Sequence, residues 1–106
     1  MEKITEKETF EKLISKENPV IMKFYTDWCP DCKRLEFFIG DIIKEYSHYE
    51  WYEINKDEFP EIAEKYNVLG IPSLLVFQKG EKKAHLHSAN AKTPEEVKDF
   101  LNSVSL

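Results

Sequence analysis

The apolar run Val20-Ile21-Met22-Lys23-Phe24-Tyr25 leads, two residues later, into Trp28-Cys29-Pro30-Asp31-Cys32, and a long amphipathic stretch follows. A strand, a two-cysteine turn and a helix in direct succession limit the folds open to this chain more than any other feature. These two cysteines are the only ones in 106 residues. Two thiols separated by two residues at a helix start can close a small disulfide ring. They can also share the stabilisation of one thiolate, which makes the pair a reversible redox switch.

The rest of the chain alternates in the same way. Past the cysteines, Leu35, Phe38, Ile39, Ile42, Ile43 and Tyr46 recur at helical spacing, the mark of a long helix with one buried face. Gly40 weakens that helix only slightly. Trp51-Tyr52-Glu53-Ile54 is aromatic and β-branched enough for a second strand. Phe59 to Tyr66 reads as a short helix, with Pro60 near its first turn and Ile62 and Ala63 inside. Gly70-Ile71-Pro72 breaks the chain, and Ser73-Leu74-Leu75-Val76-Phe77 has the continuous apolar pattern of a central buried strand. Lys79-Gly80-Glu81 is expected to turn into an amphipathic strand around Ala84 to His87, forming a hairpin.

Thr93-Pro94-Glu95-Glu96 supplies a cap, a proline at the first helical position and a glutamate three residues after the cap. Val97, Phe100, Leu101 and Val104 are the buried stripe of that last helix. Near the start, Thr5-x-x-Glu8 reads as a capping box for a first helix that turns Phe10, Leu13 and Ile14 inward. No linker or repeat interrupts the pattern, so residues 1–106 are expected to form one α/β domain with a mixed sheet.

Composition narrows the function. Seven Phe, five Tyr and two Trp within a hydrophobic content of 42% describe a globular chain. A formal charge of -5 argues against non-specific nucleic-acid binding and offers no attraction to anionic membranes. No apolar run approaches the ~20 residues of a membrane-spanning helix. Met1-Glu2-Lys3-Ile4-Thr5-Glu6-Lys7-Glu8 is charged and lacks a signal-peptide core, so a cytoplasmic location is expected. In that compartment paired cysteines are more often catalytic or metal-binding than structural.

With Cys29 as the N-cap and Pro30 as the first helical residue, the amide of Cys32 points back toward the Cys29 sulfur. That amide and the helix dipole favour a thiolate on Cys29, lowering its pKa from roughly 8.5 toward roughly 7. Cys29 then attacks a disulfide, and Cys32, one turn along and less exposed, resolves the mixed disulfide. Asp31 opposes this by repelling a nearby thiolate unless it faces solvent, and Pro30 removes one potential donor. The balance of these effects depends on geometry.

Three other readings of the pair stand beside this one. A metal site would need further ligands, and His48, His85 and His87 are scattered or lie on the late hairpin, so no metal is expected. His85 and His87 share one strand face, as two metal ligands could, yet read as solvent-facing. A structural disulfide would close too short a loop to stabilise much. Two inert buried thiols fit poorly beside Trp28 and Asp31.

Taken together, Phe24-Tyr25-Thr26-Asp27-Trp28-Cys29-Pro30-Asp31-Cys32-Lys33 and, forty residues past Cys32, Gly70-Ile71-Pro72-Ser73-Leu74-Leu75-Val76-Phe77 resemble the thioredoxin family over essentially the whole chain. The resemblance implies a thioredoxin fold, a central mixed sheet of four to five strands flanked by about four helices. It implies Cys29 as nucleophile, Cys32 as resolving thiol, and Trp28, Pro30, Asp31, Ile71 and Pro72 as the substrate-facing surface. It also implies a cis Ile71–Pro72 bond whose loop pairs through its backbone with an extended substrate segment. The Cys29–Cys32 disulfide would be the only redox group, with no separate cofactor. Disulfide-containing proteins would be the substrates, an NADPH-dependent thioredoxin-reductase-type flavoenzyme would recharge it, and the chain would act as a monomer.

The chain also departs from the family pattern. Pro30-Asp31 stands where Gly-Pro is usual, Phe37 where a helix-kinking proline is usual, and Ser88 where a glycine lines the groove. These departures describe a relative of the general housekeeping thioredoxin. The sharpest one is Lys23, six residues before Cys29, where the family keeps a buried acid that exchanges a proton with the resolving thiol. Glu53 falls near the family's facing lysine, so a reversed pair is expected, with Glu53 as general base for Cys32. The competing reading has Lys23 reaching the surface and Glu53 solvated.

The expected activity is thiol–disulfide exchange reducing protein or small-molecule disulfides. Its rivals are a glutathione-dependent glutaredoxin-like reductase and a redox-sensing binding module without turnover.

Overall fold

A computed structural model describes residues 1–106. Its strands are β1 (Glu2–Lys3), β2 (Val20–Tyr25), β3 (Glu50–Asn55), β4 (Ser73–Gln78) and β5 (Glu81–Leu86). Its helices are α1 (Lys7–Ile14), α2 (Pro30–Glu45), α3 (Pro60–Lys65) and α4 (Pro94–Ser103). The strands form one mixed sheet in the order β1-β3-β2-β4-β5. The two most apolar strands, β2 and β4, lie at the centre and pair antiparallel, while β1, β3 and β2 are mutually parallel. Both faces of the central strands are covered, which is why their sequences read as continuous apolar runs.

Alternation along the strands divides the core in two. Ile21, Leu74 and Val76 point to the face that packs Leu35, Ile39 and Ile42 of α2 and Val97 and Leu101 of α4. Val20, Met22, Phe24, Leu75 and Phe77 point to the other face, against Phe10 and Ile14 of α1 and Ile62 and Ala63 of α3. Helix α4 opens with the expected capping box: Glu96 N–H donates to Thr93 Oγ1 at 3.2 Å, and Thr93 N–H donates to Glu96 Oε1 at 3.0 Å. At the β4–β5 turn Lys79 and Gly80 have φ of 54° and 82°, the left-handed pair that a tight hairpin requires.

Several local expectations need correction. Helix α1 begins at Lys7 behind Glu6, with no side-chain cap, so Thr5 does not open a capping box. The reason is tertiary. Ile4 is fully buried and its N–H bonds Glu53 O at 2.8 Å, which keeps the chain bound to the sheet up to the residue before Thr5. Strand β1 carries no sequence signal, being two exposed residues. Strand β5 ends at Leu86, and residues Ser88–Asn90 form a 3₁₀ turn. Helix α2 runs unbroken for 16 residues with Phe37 projecting into solvent, as expected where no proline interrupts it. No helix is long and apolar enough to cross a membrane.

Candidate active site

Strand β2 delivers the chain to the cysteines. After Tyr25 the backbone stays extended at Cys29, with φ -88° and ψ 111°, and Pro30 then starts α2. Cys29 is therefore the N-cap, and its Sγ accepts the Cys32 N–H at 3.0 Å. The bond satisfies one of the helix's free amides and puts the positive end of the helix dipole on that sulfur. Asp31 is drawn away from the thiols. Lys92, in the loop before α4, donates to Asp31 Oδ2 at 2.7 Å. That hydrogen bond and the Lys92 charge, with help from Arg34, hold the Asp31 carboxyl below the usual carboxylate range.

Both cysteines are free thiols and both are buried, with exposures of 4% and 5%. The expected difference in exposure is absent, and their surroundings distinguish them instead. Burial, then the hydrogen bond with Cys29, push the Cys32 thiol up to about 12. The Thr26 main-chain N–H and the Lys23 charge pull the other way. The Cys29 Sγ meets a second partner, the Ile71 carbonyl, at 3.9 Å.

That carbonyl belongs to the loop facing the cysteines, and the Ile71–Pro72 bond is cis. Between loop and cysteines lies a cavity of about 420 Å³ bordered by Trp28, Cys29, Leu69, Ile71 and Ser88. Trp28 stands 69% exposed at its rim, its Nε1 donating to Asp57 Oδ2 at 2.9 Å. Leu69, at 86% exposure, offers a second apolar surface beside it. Ser88 borders the cavity as expected and explains Gly70: a Cβ there would clash with the Ser88 Oγ. A smaller hollow of about 210 Å³ between α1 and α3 contains no thiol.

Lys23 is 1% exposed and lies in register with Glu53 on β3. Its Nζ is 3.2 Å from Glu53 Oε1, and it also donates to Glu36 Oε1 on α2. The lysine does not reach the surface. The structure thus brings Lys23, Glu53 and Glu36 together on the face that carries α2, with Glu36 one helical turn past Cys32.

His85 and His87 stack with ring centroids 3.8 Å apart. Only His87 is solvent-facing; His85 is partly buried, and Lys82 Nζ lies 3.1 Å from its Nδ1. Burial first, then the positive charge available on His87 and Lys82, push His85 down to about 4. An ammonium against the ring nitrogen is the opposite of what a cation site requires.

Sequence reasoning missed Asp57, Lys92, Leu69 and Glu36. Glu36 alone carried a readable signal, its i,i+4 spacing from Cys32. The others reach the site through turns whose mutual approach no local pattern encodes.

The profile of the family described as Thioredoxin matches residues 1–103. A thioredoxin of Rickettsia bellii is 34% identical over 92 residues, covering 83% of this chain and 88% of that protein. The chloroplastic M-type thioredoxin of Pisum sativum is also 34% identical, over 94 residues that cover 86% of this chain. Those residues are 55% of the pea protein, so the chain spans about half the length of the plant relatives it matches. Among solved structures, Plasmodium falciparum thioredoxin superposes with a TM-score of 0.86 at 25% identity, covering 99% of this chain and 100% of that one. A matched profile over nearly the full length, a superposable fold and two cysteines at the head of α2 agree: the chain belongs to the thioredoxin family.

Proposed function

We propose that the chain is a thiol–disulfide oxidoreductase that reduces disulfides through a reversible Cys29–Cys32 couple. One observation carries this reading: Cys29 Sγ sits on the N-terminus of α2, accepting the Cys32 amide, at the mouth of the cavity. The Cys29 thiolate attacks one sulfur of a substrate disulfide and expels the other as a thiolate, leaving a mixed disulfide. Cys32 then loses its proton and attacks Cys29 Sγ. The second substrate thiolate leaves, and two electrons have passed to the substrate. Glu53 is the carboxylate proposed to receive the Cys32 proton, through one water.

Trp28, Leu69 and the Ile71–Pro72 loop form the docking surface of this reading. An extended substrate segment lies along Ile71 and pairs with its backbone, with Pro30 and the Asp31–Lys92 pair bounding the other side. No cofactor beyond the cysteine couple is needed. A flavoenzyme of the thioredoxin-reductase class, drawing on NADPH, is the proposed electron source, and the chain is proposed to work as a monomer. A dithiol used for exchange suits a reducing compartment, so cytoplasmic action is part of the proposal. Chloroplastic relatives make a plastid the competing address, which cell fractionation decides.

The test is multiple-turnover reduction of a protein disulfide with dithiothreitol as electron source. Acceleration by the wild-type chain, its loss in Cys29→Ser, and a trapped mixed disulfide in Cys32→Ser support the proposal. Stoichiometric oxidation without turnover would instead make it a redox-sensing module, and turnover driven by glutathione a glutaredoxin-like enzyme. Equilibration against dithiol buffers is expected to give a potential near or below about -250 mV.

A further inference from the structure

Lys23 is the only charged residue buried in the chain. Taking an ammonium out of water costs several kcal/mol, and an apolar side chain of similar volume would remove that cost. Every other inward residue of β2 is apolar. Position along the fold separates this ammonium from its two carboxylates. Lys23 projects from the strand beneath α2, under the turn that begins at Cys32 and ends at Glu36. Glu36 and Glu53 approach it from the solvent side, with side chains 58% and 23% exposed. The positive charge therefore lies deepest, held to Glu36 one helical turn past Cys32, and the negative charges lie outermost.

Resting on the oxidoreductase reading above, we propose that Lys23 is a positioning residue that acts through Cys32. Its ammonium stabilises the resolving thiolate, and Glu36 and Glu53 set how much of that charge the thiolate feels. The cation then offsets part of what burial withholds: a thiolate in an apolar site is strongly disfavoured, and burial still leaves the Cys32 thiol pushed up to about 12. The charged and titratable groups facing this pair are few. Cys29 caps α2, Glu36 lies on it, and Glu53 lies on β3. The Tyr25 ring is 5.5 Å from the Lys23 Nζ. Beyond it lie Asp27 and Lys3, the latter 3.7 Å from Glu58. Facing Lys23 across the β2–β4 pair is Leu74, which is apolar.

The step is measured in isolation by loading Cys29 of the full-length chain with a methylthio group from methyl methanethiosulfonate. Resolution breaks the Cys29–SCH₃ bond and forms the Cys29–Cys32 bond. Methanethiolate leaves and takes up a proton, while Cys32 gives one, by way of Glu53, to solvent. Lys23→Met is expected to slow methanethiol release about tenfold at each pH below the Cys32 titration, an upward shift of about one pH unit. Lys23→Arg should restore most of the rate. Glu36→Gln, a surface change that leaves the fold intact, should speed release several-fold by exposing more of the ammonium's field. Glu36→Gln carries the test alone if Lys23→Met fails to fold.

Rates indifferent to Lys23 and Glu36 overturn the inference and leave the oxidoreductase reading standing. An unchanged rate in Lys23→Met beside a lowered plateau in Glu53→Gln also overturns it and leaves Glu53 alone acting on Cys32. No release from the wild-type chain overturns both.

Discussion

Under α1 and α3 the sheet presents Val20, Met22, Phe24, Leu75 and Phe77, and no charged side chain is buried with them. Under α2 and α4 the same strands present Ile21, Leu74 and Val76, with Lys23 set among them. The first face is organised for cohesion, down to the edge-on packing of Phe10 and Tyr66 against Phe77. The second carries one desolvated ammonium, paired with two solvent-reaching carboxylates, beside the helix that starts at the two thiols. Both faces are cohesive, but the alternation of strand side chains confines the buried charge to one of them. A change under α1 and α3 should alter stability alone, and a change to the charged and thiol groups of the other face should alter exchange chemistry.

The largest expected effect tests the chemical side. Cys29→Ser should reduce disulfide turnover to the rate of dithiothreitol alone while leaving the melting temperature nearly unchanged. An unfolded variant would show that the division between faces is wrong. Next comes the face under α1 and α3. Phe77→Ala removes a fully buried ring and should cost about 3–5 kcal/mol in denaturant unfolding. The rate of methanethiol release from Cys29 should stay within error in the folded protein. A large change in that rate would couple the two faces.

The rim of that same face supplies a pH test. Burial, His87 and Lys82 lower His85 from 6.5 to about 4, so folding favours its neutral form. The associated stability is fully present above about pH 6.5 and is lost as pH falls toward 4. Between pH 7 and 4.5 the wild-type chain should lose about 5 °C more in Tm than His85→Phe. Equal losses would assign the acid sensitivity to carboxylates elsewhere. The smallest effect concerns the loop opposite the thiols. Gly70→Ala should cost about 1 kcal/mol through its approach to the Ser88 Oγ. The penalty should vanish in the Gly70→Ala, Ser88→Gly double variant, and a penalty that persisted would mean the strain lies in the backbone.

Much of this was legible in the residues themselves. Continuous apolar runs marked β2 and β4 as central, because only a strand covered on both faces tolerates them. Thr93, Pro94 and Glu96 announced α4, since a capping box is satisfied within four residues. Cys29 as an N-cap sulfur was readable for the same reason: its partner amide is three residues away. The Thr5 cap failed on identical logic, because Ile4 was already committed to Glu53 across the sheet edge. That commitment is not local.

What the sequence by itself determined is therefore the set of short-range devices: strand patterning, helix caps, the hairpin turn and a dithiol at a helix start. Each is closed by atoms a few bonds apart, so its energy is written into neighbouring residues. Only the tertiary structure decided that Lys92 would neutralise Asp31, 61 residues away, that Asp57 would hold Trp28, and that Glu36 would join Lys23 and Glu53. Those contacts depend on where packed helices and loops come to rest against the sheet. Charges can then meet at distances fixed by the packing of apolar surface, which carries no record of which charges it will bring together.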